Sequence, residues 1–210
     1  MLTKPQVAIE NTSVARPLTF IGRCAGTSTE RSGRNDAKRA LSCINMGHTS
    51  VLEHVSVTFR ISDVSRSLTH QLVRHRLASF VQQSQRYVKL DLDGNGWYVT
   101  PPSIAADKHL EFQYDEQMAA SARTYKSLLD HGIRPEDARF VLPEATKTAI
   151  VMTMNLRELQ SFYTLRSDTH AQWEIRELAH AMREALLDAT QNDTEWQELV
   201  GIIMPSEAEQ

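Results

Sequence analysis

The stretch His54-Val-Ser-Val-Thr-Phe-Arg-Ile61 decides the fold. Its apolar residues Val55, Val57, Phe59 and Ile61 alternate with His54, Ser56, Thr58 and Arg60, a period of two that belongs to a strand with one face on a core. Downstream, residues 65–76 suit a helix, and SFVQQSQRY at 79–87 reads as a loop or irregular turn. DLDGNG at 91–96 is a turn, and Trp97–Val99 resumes an extended chain before Pro101-Pro102. Residues 105–131 form a long amphipathic helix with a stripe of Tyr114, Met118, Ala122, Tyr125 and Leu129, stopped by Gly132. Pro135 fits the first position of a short helix that ends near Pro143. TKTAIVMTM at 146–154 is β-branched and apolar, hence a buried strand. Two helices follow, 156–166 and about 169–190, the second with Ile175, Leu178, Met182 and Leu186 on one face. Upstream, residues 5–22 read as extended. Ala37, Ala40, Leu41 and Ile44 then make a short helix, capped by Asn35 or Asp36 and closed by Gly47. Strands and helices are interspersed without strict βαβ alternation. The expected class is therefore α+β, a single domain over 1–210 with helices packed on a mostly antiparallel sheet and a frayed tail from about 203.

A chain of 210 residues and 23.8 kDa can bury one sizeable core or two small ones. With 41% hydrophobic and 23% charged residues it is neither disordered nor fibrous. No apolar run is long enough for a membrane span, and the start, MLTKPQVAIENTS, has no apolar h-region. Cys24 and Cys43 make no disulfide framework and no CxxC pair, so a cytoplasmic location is expected. The net charge of −3 argues against a polyanion-binding surface as a whole. The basic residues are nonetheless uneven: of 23, 17 are Arg. Arg60, Arg66, Arg74, Arg76 and Arg86 share a window whose only acid is Asp63. An Arg fork holds phosphate or carboxylate through two bonds, so the window suggests a pocket for a small anion. A solvated charged face would have the same composition, and a nucleic-acid-binding module using the 60–86 Arg cluster is the alternative function.

Four constellations carry possible chemistry. On a continuous helix Gln71, Arg74 and His75 would share a face, followed by Gln82-Gln-Ser84-Gln-Arg86, whose amides, hydroxyl and Arg can wrap a phosphate and a polar base. Asn155, Leu159, Phe162 and Arg166 line one helical stripe about 16 Å long; the Arg that closes it either caps the helix or projects into a site. Glu177-x-x-His180, with His170 and Glu174, is half of a di-iron pattern whose second half is missing, so no metal site is expected. His48, Glu53 and His54 lack zincin spacing. With no GxSxG, P-loop or GxGxxG, the reactive atom of an enzyme here would belong to a cofactor.

The string Arg74-His75-Arg76-Leu-Ala-Ser-Phe-Val-Gln-Gln-Ser84-Gln-Arg86 resembles the signature of the flavin-dependent thymidylate synthases: Arg-His-Arg, seven residues, Ser, and Arg two further on. The rest agrees in order: His48-Thr-Ser50-Val-Leu-Glu53-His54, Ala138-Arg139-Phe-Val-Leu-Pro143, Asn155-Leu-Arg157 and Leu165-Arg166-Ser-Asp-Thr-His170. The resemblance spans roughly residues 15 to 190. It implies an FAD enzyme that methylates dUMP to dTMP, with methylenetetrahydrofolate as carbon donor and NADPH as reductant. It also implies a homotetramer whose sites are shared between subunits. Carried over, dUMP contacts fall on Gln71, Arg74, Gln83, Ser84, Gln85, Arg86, Arg139 and Arg166, with Arg166 activating the pyrimidine. Flavin contacts fall on His48, Ser50, Glu53, Arg74, His75, Arg76, Gln82, Asn155, Arg157 and Ser161. Gln82 is neutral where some relatives carry an acid, and Ser161 is shorter than the Asn or His of relatives. Neither cysteine has the context of the nucleophile in the classical synthase, which agrees with a flavin route.

Overall fold

The computed structural model describes residues 4–28, 30, 33, 35–94 and 96–206. Within them lie strands β1 (Gln6–Thr12), β2 (Ser56–Ser65), β3 (Ala78–Gln82) and β4 (Lys147–Asn155), and helices α1 (Pro17–Thr27), α2 (Asp36–Asn45), α3 (Arg66–Leu72), α4 (Pro102–Ala105), α5 (Lys108–Asp130), α6 (Pro135–Ala138), α7 (Leu156–Arg166), α8 (Trp173–Ala189) and α9 (Thr194–Ile203). The strands form one fully antiparallel sheet in the order β1-β2-β4-β3. The α+β class expected from the alternation at 54–61 is the one observed. Val57, Phe59 and Ile61 are fully buried, and Phe59 lies opposite Met152 on β4. Leu159 and Phe162 of α7, Ile175, Leu178 and Met182 of α8, and Leu199 of α9 pack in the same core. On the polar face Thr58 meets Thr153 at 2.9 Å and Arg60 pairs with Glu10. A smaller core gathers Leu92, Trp97, Tyr98, Met118, Tyr125 and Ala138 around α5.

Several local expectations are corrected. Residues 79–82, expected as loop, belong to β3: Ala78 pairs with Met154 and Gln82 with Ile150. The strand is only five residues long and ends in Gln, so pairing with β4 rather than propensity decides it. Residues 17–22 are helical because Pro17 sits at the start of α1 with its φ already set, and Leu18 and Ile21 face the core. Glu195, on α9, caps that helix from a distance, accepting from Thr19 N (2.8 Å) and Thr19 Oγ1 (2.6 Å). Gly22 is required there, since a Cβ would lie 1.7 Å from the Asp36 carbonyl oxygen.

The expected helix over 65–76 stops at Leu72. Ser65 starts it, its hydroxyl accepting from Leu68 N at 2.9 Å while its own N–H and O–H donate to the buried Glu174 at 2.7 and 2.6 Å. The long helix breaks at Asp107, whose carboxylate accepts from His109 N and Leu110 N to open α5. The last long helix starts at Trp173, where the Gln172 side chain caps it. α9 itself occupies a stretch to which the sequence reading assigns no element. The tail expected from about 203 is corrected at its start, where Ile203 and Met204 are buried; residues 207–210 lie outside the described set.

Candidate active site

β4 runs directly into α7, and Asn155 makes the junction: its Oδ1 accepts from Glu158 N at 2.9 Å. Leu156, Leu159 and Phe162 bury one side of α7, and Arg166 arrives at the last turn. Its Nε donates to His75 Nε2 at 3.1 Å, a ring rather than a helix carbonyl, and Arg166 lines a pocket of about 600 Å³ with Ser161, Leu165, Asp168 and His170. The Arg166 side chain therefore turns to His75 and a pocket wall rather than back onto the carbonyls of its own helix. His75 is 8% exposed and stands edge-on to Phe162 at 5.0 Å. Its Nδ1 lies 3.2 Å from Glu158 Oε1. Burial, then the Arg166 charge, push the His75 pKa below its ordinary value, against an opposing pull from Glu158.

Because α3 ends at Leu72, the shared helical face of Gln71, Arg74 and His75 does not form. His75 turns inward, while Arg74 and Arg76 on either side of it are exposed. Glu53 and Arg157 are joined by a 2.7 Å ion pair, and His48 and Ser50 are exposed at the start of the same turn as Glu53. Asn155 and Ser161 hold helix groups as well, Ser161 Oγ donating to Arg157 O at 3.1 Å.

A second cluster surrounds the turn after β3. Gln82 points inward, donating to Thr69 Oγ1 at 2.9 Å. Gln83 N continues the ladder to Ala149 O, and its carbonyl accepts from Arg66 Nη2 at 2.9 Å. Ser84 Oγ accepts from Arg86 N at 3.1 Å, closing the turn. The Arg86 guanidinium reaches Glu136 Oε2 at 3.2 Å and lies 5.5 Å over the Tyr87 ring. Arg139 Nε donates to Glu136 O at 3.1 Å. Gln85, Arg139 and Arg66 line a pocket of about 470 Å³ with His70 and Glu144. Arg66 Nε is buried and has no hydrogen-bond partner among the described residues. Burial and the neighbouring Arg139 charge lower the Arg66 pKa. The Glu144 carboxylate on the same pocket wall opposes that shift, so two partly desolvated guanidiniums face one carboxylate there.

Of the five clustered arginines, Arg60 is paired with Glu10, Arg66 with the Gln83 carbonyl and Arg86 with Glu136. The two pockets share no lining residue. Residues that the sequence reading did not assign to the site are Arg66, Glu136, Glu158, Asp168 and His170. Arg66 lay in the counted Arg window, and Glu158 carries the Asn-x-x-Glu spacing of a helix start; nothing local marks Glu136. Glu174 is engaged by Ser65, and the His180 ring packs against Tyr163. Among the described residues no group of three or more His, Cys, Asp or Glu could hold a metal ion. No helix there is long and apolar enough to cross a membrane.

The scaffold is thus an antiparallel α+β fold with two separate pockets, one lined by Arg166 and the other by Arg66 and Arg139. Residues 10–190 match the family model described as thymidylate synthase complementing protein. The flavin-dependent thymidylate synthase of Pyrococcus furiosus is 45% identical over 180 residues, covering 85% of this chain and 74% of that one. Its counterpart in Geobacter sulfurreducens is 51% identical over 139 residues, covering 66% of this chain and 60% of that one. Thymidylate synthase X from Helicobacter pylori, crystallised with FAD and dUMP, has the same fold, with a TM-score of 0.74 at 26% identity over 96% of this chain and 100% of that one. The chain belongs to this family of flavin-dependent thymidylate synthases.

Proposed function

We propose that the protein catalyses the FAD-dependent reductive methylation of dUMP to dTMP, with methylenetetrahydrofolate as carbon donor and NADPH as reductant. The observation that carries this reading is the pairing of a pocket lined by Arg66 and Arg139 with a separate pocket lined by Arg166, whose Nε a buried histidine holds. dUMP has two ends of matching chemistry, a dianionic phosphate and a pyrimidine whose O4 and N3 gain negative charge as C5 becomes nucleophilic. Arg86 and Arg139 supply charge for the phosphate, and the Ser84 hydroxyl can donate to it while accepting from Arg86 N. Arg166, placed at the pyrimidine edge, stabilises the developing negative charge without gaining or losing a proton. Preorganised donors of this kind are typically worth roughly 100- to 1000-fold in rate.

The residues fit a flavin dinucleotide. Arg74 and Arg76 are exposed, and their guanidiniums have no partner among the described residues, which suits a pyrophosphate. Leu165, 56% exposed on the wall of the Arg166 pocket, offers an apolar surface for a ring. The bound flavin supplies the redox chemistry, so no cysteine or serine nucleophile is required.

The separation of the two pockets supports a site completed by more than one chain, as in a homotetramer. β3 is an edge strand carrying Val81, 74% exposed, and Phe140 is 82% exposed beside the pocket of Arg66 and Arg139, apolar area that a second copy would cover. The test is direct. The purified protein should be yellow with a band near about 450 nm, convert dUMP to dTMP only with folate and reductant present, and scatter light as a tetramer. Colourless protein that binds no added FAD would end the reading.

A further inference from the structure

Arg166 Nε, His75 and Glu158 form one continuous chain, 3.1 Å from Arg166 Nε to His75 Nε2 and 3.2 Å from His75 Nδ1 to Glu158 Oε1. Hydrogen-bond chemistry leaves one consistent arrangement. A guanidinium only donates, so His75 Nε2 must accept. A neutral imidazole has one acceptor and one donor, so the proton sits on Nδ1 and points at the Glu158 carboxylate. The opposite tautomer would aim Nε2–H at Arg166 Nε–H, and an imidazolium would set two cations face to face. Burial of the ring favours the neutral form. The surroundings make the arrangement rigid: Phe162 stands edge-on to the ring, the Glu158 side chain is only 13% exposed, and its N–H is held by the Asn155 cap. With Nε engaged, the two terminal amino groups of Arg166 have no partner among the described residues, and the side chain lines the 600 Å³ pocket.

We infer that Glu158 is a positioning residue for the pyrimidine-activating arginine: by fixing the His75 tautomer it holds Arg166 Nε and so sets the direction from which the terminal amino groups meet O4 and N3. This rests on the assignment of Arg166 to dUMP. A purely structural Glu158–His75 pair, tying α7 to the segment after α3, would lower melting temperature without a selective loss of turnover.

The experiment compares FAD-loaded Glu158→Ala, Glu158→Gln, Arg166→Ala and the Glu158→Ala/Arg166→Ala double variant. It follows kcat, KM and calorimetric Kd for dUMP, flavin content and melting temperature. Glu158→Ala should lower kcat roughly 10- to 100-fold, the scale of a misplaced catalytic group, while retaining flavin. Glu158→Gln should recover most of that loss, since its amide oxygen still accepts from Nδ1–H. In the Arg166→Ala background, Glu158→Ala should change dUMP affinity by less than about twofold, because its effect runs through the missing arginine. Unchanged turnover in Glu158→Ala, or an equal loss of dUMP affinity in both backgrounds, overturns the inference. Normal turnover in Arg166→Ala alone overturns the dUMP assignment instead. Should Glu158→Ala fail to fold, histidine-selective 15N spectra of the wild-type holoenzyme decide. With His75 assigned by a His75→Gln variant, a protonated Nδ1 and bare Nε2 are expected, and the reverse tautomer or an imidazolium overturns the proposal.

Discussion

The Arg166 end and the Arg86 end of the candidate site are both arginine-rich, yet they are built in opposite ways. Arg166 is backed by a buried ring and a nearly buried carboxylate, 8% and 13% exposed as side chains, and stands at the end of a helix packed in the main core. Arg86 lies in an open turn, half exposed, bound to Glu136 and stacked on Tyr87. The first arrangement fixes direction and leaves two amino groups for one target. The second is a loose ion pair of the kind worth at most about 1 kcal/mol, which an arriving dianion can displace. Direction is what a transition state needs, whereas displaceable charge is enough to capture a phosphate.

Arg166→Ala breaks the comparison most severely. Losing the donor proposed for the pyrimidine edge should lower kcat by roughly 100- to 1000-fold while fold and flavin persist. Arg166→Lys should fail nearly as badly, because a point charge cannot keep Nε on His75 and also span two acceptors. Steady-state dTMP formation checks both, and near-normal kcat in either would show that the buried end is scaffold only.

Arg86→Ala should act mainly on KM and Kd for dUMP, by roughly 10- to 100-fold, since a hydrogen bond to a charged group contributes about 1.5–3 kcal/mol. Its counterpart, Glu136→Gln, removes a competing acceptor and should tighten dUMP binding by at most about fivefold. Calorimetric titration measures both. Weaker binding in Glu136→Gln would mean that the carboxylate holds Arg86 in place rather than competing for it.

The two ends should also differ in acid. The folded-state pKa of His75 lies below its ordinary 6.5, chiefly through burial and then the Arg166 charge. The unfolded chain therefore binds this proton first, so the contribution to stability is complete above pH 6.5 and is lost as pH falls through the window below it. His75→Gln should flatten that part of the stability–pH curve and Arg86→Ala should leave it unchanged. Urea titrations between about pH 5 and 7 test this, and parallel curves for wild type and His75→Gln would contradict it.

Parts of this architecture were legible and others were not. β2 announced itself through four clean alternations, and α7 through its stripe. β3 did not, because five residues ending in Gln carry almost no periodic signal; its pairing with β4 is a tertiary choice. The Arg-His-Arg string identified the family, but local spacing placed Arg74 and His75 on one helical face. No Gly or Pro between 66 and 76 warns that α3 ends at Leu72. That stop lets a histidine turn into the core between two exposed arginines. Arg166 stood out as a charge closing an apolar stripe, while its partner lies 91 residues away and is invisible to spacing. Glu158 is camouflaged differently: Asn155-x-x-Glu158 looks like a helix start that reaches back on itself, yet its side chain reaches His75.

The smallest expected loss of dUMP binding is at Ser84, where the open end could hide chemistry. Ser84 Oγ accepts from Arg86 N at 3.1 Å, so the hydroxyl shapes the turn that presents Arg86 and keeps its own hydrogen free to donate to phosphate. Among the described residues its side chain meets no histidine or carboxylate that could take its proton, and a serine without such a base is a poor nucleophile. Loss of a neutral hydrogen bond contributes about 1 kcal/mol, and relaxation of the turn adds a little. Ser84→Ala should therefore raise KM for dUMP severalfold, less than Arg86→Ala does, and keep measurable dTMP synthesis. Loss of uniform binding raises KM, whereas loss of a nucleophile removes the chemical step at every substrate concentration. A dUMP titration that follows flavin re-oxidation and dTMP release separately distinguishes the two. A Ser84→Ala enzyme that binds dUMP normally and forms no dTMP would move the chemistry from the Arg166 end to this turn.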